Sequence, residues 1–282
     1  MKIIECPRDA MQGLHDFIPT QKKISYINQL LKVGFDSIDF GSFVSPKAIP
    51  QLADTTEVLA NLDLSSTHSK LLAIVANTRG AEQAVSHQAI RYIGFPFSIS
   101  ETFQLRNTNS TIAQSLDTVK QMQELCVKNN KELVVYISMG FGNPYGDPWN
   151  TEIAEKWVSE MDTLGVKILS LSDTIGIANP ESISYLFNSL IPRFPHIEFG
   201  AHLHTTPTTW REKVEAAHNS GCKRFDGAIK GFGGCPMAAD ELTGNMPTEN
   251  LIGYFEEKGI DLGLNKREFT QSMIASVDVF GG

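Results

Sequence analysis

The sequence lacks any run of about 18 consecutive apolar residues, so no segment reads as a membrane-spanning helix. Cysteine is scarce: Cys6, Cys126, Cys222 and Cys235 stand far apart with no C-x-x-C pair, which excludes a disulfide framework and fits a reducing compartment. Basic residues are in deficit, with 24 Lys and Arg against 32 Asp and Glu and a net charge of −8. A general nucleic-acid binder needs a basic stripe along the phosphate backbone, so that class is excluded, and an anionic substrate must be held by local cations. No Gly-x-Gly-x-x-Gly follows the first apolar run; Glu5-Cys6-Pro7-Arg8-Asp9 puts charge where a dinucleotide-binding loop wants glycine. The N-terminus has neither the apolar stretch of a signal peptide nor the basic amphipathic character of a transit peptide. These absences predict a soluble, cytoplasmic protein with no membrane and no nucleic-acid partner.

What is present is a chain of 282 residues, 41% hydrophobic and 20% charged, long enough to bury a sizeable core. Short β-branched or apolar runs at residues 2–5, 37–41, 71–76, 92–97, 132–138, 168–172, 198–202 and 224–228 read as strands. Segments of helical period lie between them at 20–33, 45–61, 78–87, 111–130, 151–164, 180–193, 208–220 and 248–258. Asn179-Pro180 supplies a cap residue followed by proline, and several segments stop at glycine, as at Gly34, Gly165, Gly221 and Gly259. Eight strand-then-helix units without a linker predict a single-domain TIM (β/α)8 barrel over residues 1–282, closed by a C-terminal loop and helices.

In such a barrel the chemistry sits at the C-terminal ends of the strands. Arg8, Asp9 and Gln12 follow the first strand, Asp39 and Ser42 end the second, and Tyr136 and Ser138 lie on the fifth. Asp173 and Thr174 follow the sixth. His202-Leu203-His204 ends the seventh; strand residues two apart face one side, so the two imidazoles are either a two-ligand metal unit or an accident of spacing. Asp9 and Asn245 offer oxygen ligands, and two imidazoles with a carboxylate and an amide suit Mg²⁺ or Mn²⁺ better than structural zinc. Arg8 is either a surface ion-pair partner or a cation placed where negative charge develops on a carbonyl. Cys235, in Gly233-Gly234-Cys235-Pro236, suits an acid/base or nucleophilic role, and the glycines at 231–234 allow the competing reading of a phosphate cradle. Asp173 either caps the following turn or orients a substrate.

Taken together these motifs resemble the hydroxymethylglutaryl-CoA lyases of the DRE-TIM metallolyase superfamily. The resemblance runs over nearly the whole chain. It is carried by Cys6-Pro7-Arg8-Asp9-Ala10-Met11-Gln12, Ser42-Phe43-Val44-Ser45-Pro46-Lys47, Ser172-Asp173-Thr174-Ile175-Gly176, His202-Leu203-His204, Gly233-Gly234-Cys235-Pro236 and Gly244-Asn245-Met246-Pro247. It implies cleavage of 3-hydroxy-3-methylglutaryl-CoA to acetyl-CoA and acetoacetate with a divalent cation, Mg²⁺ or Mn²⁺, on Asp9, His202, His204 and Asn245. It also implies catalytic roles for Arg8, Cys235, Asp173 and His202, with Gln12, Asp39, Ser42, Tyr136 and Thr174 on the substrate. The alternatives are a Claisen-type synthase of the same superfamily or a lyase for a related 3-hydroxyacyl-CoA. The expected partner is an acyl-CoA and the expected assembly a homo-oligomer, a dimer or tetramer. Four departures stand out: Ala10-Met11 replaces the usual Gly-Leu, His15 falls where a CoA-holding lysine is usual, Asp39 replaces a glutamate, and Thr205-Thr206 follows the histidines.

Overall fold

Eight short segments rich in Ile, Leu, Val and Phe are buried on both faces, the pattern of strands covered by helices outside and side chains within. They are β1 Lys2–Glu5, β2 Ser37–Ser42, β3 Lys70–Ile74, β4 Ile90–Ser98, β5 Glu132–Ser138, β6 Ile168–Asp173, β7 Glu198–Thr205 and β8 Arg224–Gly227. In the computed structural model, which describes residues 1–234 and 243–281, each pairs in parallel with its neighbours in sequence. β1 pairs with β8, Lys2 opposite Arg224 and Glu5 opposite Gly227, so the sheet closes into the expected barrel. A ninth strand, β9 Gly244–Asn245, adds antiparallel to the end of β7.

Around the barrel lie α1 Pro7–Gln12, α2 Thr20–Leu31, α3 Thr55–Ala60, α4 Thr78–Val85, α5 Glu101–Thr108, α6 Ile112–Lys128, α7 Thr151–Thr163, α8 Pro180–Arg193, α9 Trp210–Asn219, α10 Thr248–Glu257 and α11 Lys266–Phe280. α8 shows how the sequence specifies one of them. Asn179 accepts from the Ser182 amide and Ser182 closes the box on the Asn179 backbone, with Pro180 at the first helical position. Ile183, Leu186, Phe187 and Leu190 then fall on one buried stripe.

The expected helix at 45–61 is corrected: Pro46 and Pro50 remove amide donors and break it into a turn, a 3-10 turn at Pro50–Leu52 and the short α3. No helix was placed directly after β1, yet Pro7 starts one there. α5 and β9 were not anticipated either, and α11 is one of the C-terminal helices expected without bounds. β7 runs three residues beyond the expected end and so contains both histidines of the His-x-His motif.

The core has two layers. Leu72 and Ile74 of β3, Tyr92 of β4, Val134 and Tyr136 of β5 and Ile168 of β6 fill the barrel interior. A larger layer packs between strands and helices. The interior is tight enough that a Cβ on Gly94 would stand 2.4 Å from the Ile74 Cδ1, so any side chain there would have to displace the Ile74 tip.

Glu5 closes the barrel end. Its carboxyl accepts from the Ile229 amide at 3.0 Å and the Thr248 hydroxyl at 2.6 Å, tying β1 to the turn after β8 and to the start of α10. Burial pushes it up to about 8 from the usual 4.5, against the two hydrogen bonds that lower it. A carboxyl raised in the folded state holds its proton more tightly folded than unfolded. Its contribution to stability is therefore complete below the unfolded value of 4.5 and is lost as pH rises through about 8. Urea midpoints should decline between pH 5 and 8, with Glu5 contributing a slope of up to about 1.4 kcal/mol per pH unit. Glu5→Gln should remove that part of the slope, and parallel declines in both proteins would show that the proton sits elsewhere.

Candidate active site

The first turn of α1 carries Arg8 and Asp9, and Gln12 lies one turn on, so all three share the end of the barrel into which β1 leads. Arg8 is 7% exposed and must find acceptors. Its Nη1 donates to Asp9 Oδ1 and Gln12 Oε1, both at 2.9 Å, while Nε at 2.9 Å and Nη2 at 2.5 Å donate to Asp39 Oδ2. The shorter Asp39, in place of a glutamate, therefore reaches the guanidinium directly. Burial alone would raise the Asp9 carboxyl, but Arg8 first, then His202 and His204, outweigh it and hold Asp9 at about 2. Asp39 is raised to about 6, because burial there outweighs Arg8.

His202 and His204 lie on one side of β7, their ring centroids 5.4 Å apart. His202 Nδ1 pairs with Asp226 Oδ2 of β8 at 3.1 Å, and His204 Nδ1 donates to the Thr174 carbonyl at 2.9 Å. Both Nδ1 atoms are occupied, which directs both Nε2 atoms toward the site. His204 Nε2 is buried with no partner among the described residues. Ligand atoms of Asp9, His202 and His204 all lie within 4.8 Å of one another, a set that could hold a metal ion. Burial first, and the His202 charge second, push His204 down to about 4, so its imidazole is neutral near pH 7, the form that ligates. His202 is shifted up: burial lowers it, but the hydrogen bond and charge of Asp226 win. β9 sets Asn245 opposite His204, and its Nδ2 donates to Asp9 Oδ2 at 2.7 Å and to the Phe232 carbonyl at 2.9 Å.

A cavity of about 220 Å³ opens above these groups. Arg8, Asp9, Gln12, Tyr136, Thr174, His202 and His204 line it, as the sequence led us to expect. Three expected site residues do not reach it. Asp39 is fully buried behind Arg8 and acts through it. Ser42 bonds the Ile74 carbonyl at 3.1 Å and faces a neighbouring groove. Asp173 is paired at 2.7 Å with the buried Lys213, which also donates to the Gly176 and His204 carbonyls at 2.9 and 2.8 Å. Asp173 also accepts from the Ala178 amide at 3.0 Å, the capping contact that was the alternative to its expected catalytic role, and through Lys213 it fastens the turn carrying Thr174 to β7. Cys235 lies outside the described residues.

Sequence reasoning missed Asp226 and Lys213, and with them α5, which brings Phe103, Asn107 and Thr108 to the cavity wall. An acid inside a short run between Cys222 and Ile229 that reads as a buried strand was a signal for Asp226. So was Ser100, which caps α5 by accepting from the Phe103 amide at 3.2 Å.

Lys213→Met should leave Asp173 buried without its counter-charge and lower the unfolding free energy by about 3–5 kcal/mol, read from urea denaturation. His204→Ala should weaken Mn²⁺ binding at least about 10–100-fold, the loss that even removal of a ligand's supporting partner produces, read by titration of the purified protein. Retention of wild-type affinity would place the cation elsewhere.

The HMGL-like family model matches residues 2–274. A hydroxymethylglutaryl-CoA lyase of Bacillus subtilis is 35% identical over 254 residues, covering 90% of this chain and 84% of the relative. An (R)-citramalyl-CoA lyase of Chloroflexus aurantiacus is 28% identical over 92% of this chain and 84% of its own. The solved structure of an HMG-CoA lyase from A. baumannii in complex with coenzyme A and 3-methylmalate superposes with a TM-score of 0.90 at 31% identity, covering 100% of this chain and 91% of that one. A barrel with Arg8 and Asp9 after its first strand and His202 and His204 on its seventh, matched by that family over almost its full length, belongs to the HMGL-like family.

Proposed function

We propose that this chain is a carbon–carbon lyase that cleaves 3-hydroxy-3-methylglutaryl-CoA to acetyl-CoA and acetoacetate. The observation that carries the reading is the meeting of a buried arginine with a carboxylate and two imidazoles at the floor of one cavity. In this reaction the tertiary hydroxyl loses its proton and the bond between C2 and C3 breaks. Its electron pair passes into the thioester as an enolate, which takes a proton at C2 to give acetyl-CoA. The divalent cation, Mg²⁺ or Mn²⁺ by the donor set, supplies Lewis acidity toward the substrate hydroxyl when held by Asp9, His202 and His204, with Asn245 as a further oxygen donor.

The chain's own residues account for the rest. Four of the five N–H groups of Arg8 are committed to Asp9, Gln12 and Asp39, which leaves one on Nη2 for an oxyanion. Because Asp39 and Asp9 fix the guanidinium beforehand, no reorganisation is needed as the negative charge develops. His202 has its Nδ1 on Asp226, so its remaining nitrogen belongs to the ligand set and we assign the proton removal elsewhere. Cys235 is the proposed acid that protonates C2. Tyr136 and Thr174 bound the space for the acyl group, and α5 covers it.

The relatives above are lyases, which favours cleavage over the Claisen-type synthase reading. The citramalyl-CoA lyase keeps a related 3-hydroxyacyl-CoA open as a second substrate. Three cysteines among the described residues, Cys6, Cys126 and Cys222, are buried free thiols, which accords with a cytoplasmic location.

Metal-stripped protein should be inactive on 3-hydroxy-3-methylglutaryl-CoA and should release acetoacetate and acetyl-CoA when Mg²⁺ or Mn²⁺ is restored. Arg8→Lys loses the planar fork and should lower kcat by about 10²–10³-fold with cation binding retained. Folded, metal-loaded protein that cleaves citramalyl-CoA but not this substrate would move the assignment to the second reading.

A further inference from the structure

The eight strand-and-helix units are complete at α10, so α11 is an addition to the barrel. It lies along α2 and is tied to it at both ends. Near its start the Gln29 amide donates to the Glu268 carbonyl at 3.0 Å and to its carboxylate at 2.9 Å, and Phe269 meets Phe35 edge to face at 6.3 Å. Near its end Lys22 donates to the Asp278 carbonyl at 3.0 Å, and Phe280 meets Tyr26 edge to face at 5.7 Å. Packing on α2 explains these contacts. It does not explain a further one: the Phe280 ring also stacks on Phe232, in the turn after β8, with centroids 4.6 Å apart and 26° between the planes.

Phe232 has a backbone role at the site. Its carbonyl accepts one hydrogen of Asn245 Nδ2 at 2.9 Å, and the other goes to Asp9 Oδ2 at 2.7 Å. Two acceptors at one end of the amide identify that end as nitrogen, which leaves the Asn245 oxygen as the end free to ligate. The backbone that carries this carbonyl has little of its own to hold it. Lys230, Gly231, Gly233 and Gly234 all have positive φ, and three of these four are glycines with no side chain to anchor. The Phe232 amide reaches the Ile229 carbonyl only at 3.4 Å, a weak bond. Phe232 has the one ring between residues 230 and 234, and α11 is what that ring rests on.

We propose that Phe280 is a positioning residue for the cation site. Its ring fixes Phe232, the Phe232 carbonyl fixes the Asn245 amide, and Asn245 in turn holds the Asp9 carboxylate. The inference rests on the metal-dependent reading above and extends the support of that site to a helix outside the eight-unit barrel. Ordinary packing of α11 would make Phe280 matter for stability and leave cation binding untouched.

Titration of the purified full chain with Mn²⁺, without substrate, separates the two. Phe280→Ala should weaken Mn²⁺ binding about tenfold, the lower end of what losing a ligand's supporting partner costs, and Phe280→Tyr, which keeps the ring, should restore it. Phe232→Ala keeps the carbonyl but loses the stack, and should show a similar loss. Phe269→Ala removes another half-buried ring from the same helix and should bind Mn²⁺ as wild type does, although it too lowers the urea midpoint. In an Asn245→Ala background, Phe280→Ala should add less than a twofold effect, because its route to the cation is already gone. The proposal is overturned if Phe280→Ala or Phe232→Ala binds Mn²⁺ within twofold of wild type, if Phe280→Tyr fails to restore binding, if Phe269→Ala weakens it as much, or if the Phe280→Ala loss persists in full without Asn245. Wild type that binds no Mn²⁺ would instead overturn the metal-dependent reading itself.

Discussion

A guanidinium removed from water has to be surrounded by acceptors, and in this barrel Arg8 imposes that requirement on everything near it. Asp39 meets it from β2, and Asp9 and Gln12 meet it from α1 itself. The helix must therefore begin as soon as β1 ends, because only a helical turn places residues 8 and 12 side by side. Asp9 then has one oxygen committed to Arg8 and Gln12 and the other to Asn245. A single carboxylate joins the group that would steady negative charge to the group that would hold a cation. Displacing either partner disturbs both functions.

The histidines depend on a second set of buried groups. Asp226 on β8 and the Thr174 carbonyl after β6 each take one imidazole Nδ1, so the strands on both sides of β7 orient the motif. Lys213 reaches from α9 to three oxygens at the mouth, including the His204 carbonyl. None of these contacts is local in sequence. They depend on the parallel pairing that sets β6, β7 and β8 in register.

That distinction explains what could be read beforehand. The eight strands and the outer helices were legible because each is a local pattern: apolar runs, Asn179-Pro180 as a start, glycine as a stop. Arg8, Asp9, His202 and His204 were legible as residue types at strand ends, and the resemblance supplied their order. Asp39 and Ser42 were placed on the correct strand end, but neither lines the cavity, and the register shift of β2 against β3 between Asp39 and Gly41 is announced by no local pattern. Asp173 was legible as a cap of the following turn, and it does accept from the Ala178 amide, but its pairing with Lys213, forty residues away, left no local trace. The helix at 45–61 failed for a local reason that two prolines had already stated.

The pairing of β9 with β7 has an evolutionary consequence. Gly244 and Asn245 stand opposite Thr205 and His204 in the sheet, while Gly231, Gly233 and Gly234 press against Gly244 and Asn245, close enough that a Cβ on Gly231 would stand 2.9 Å from the Asn245 carbonyl. Natural variation can therefore fill Gly231 or Gly233 only by moving Asn245 away from Asp9. The place of the amide is guarded by residues that carry no chemistry of their own.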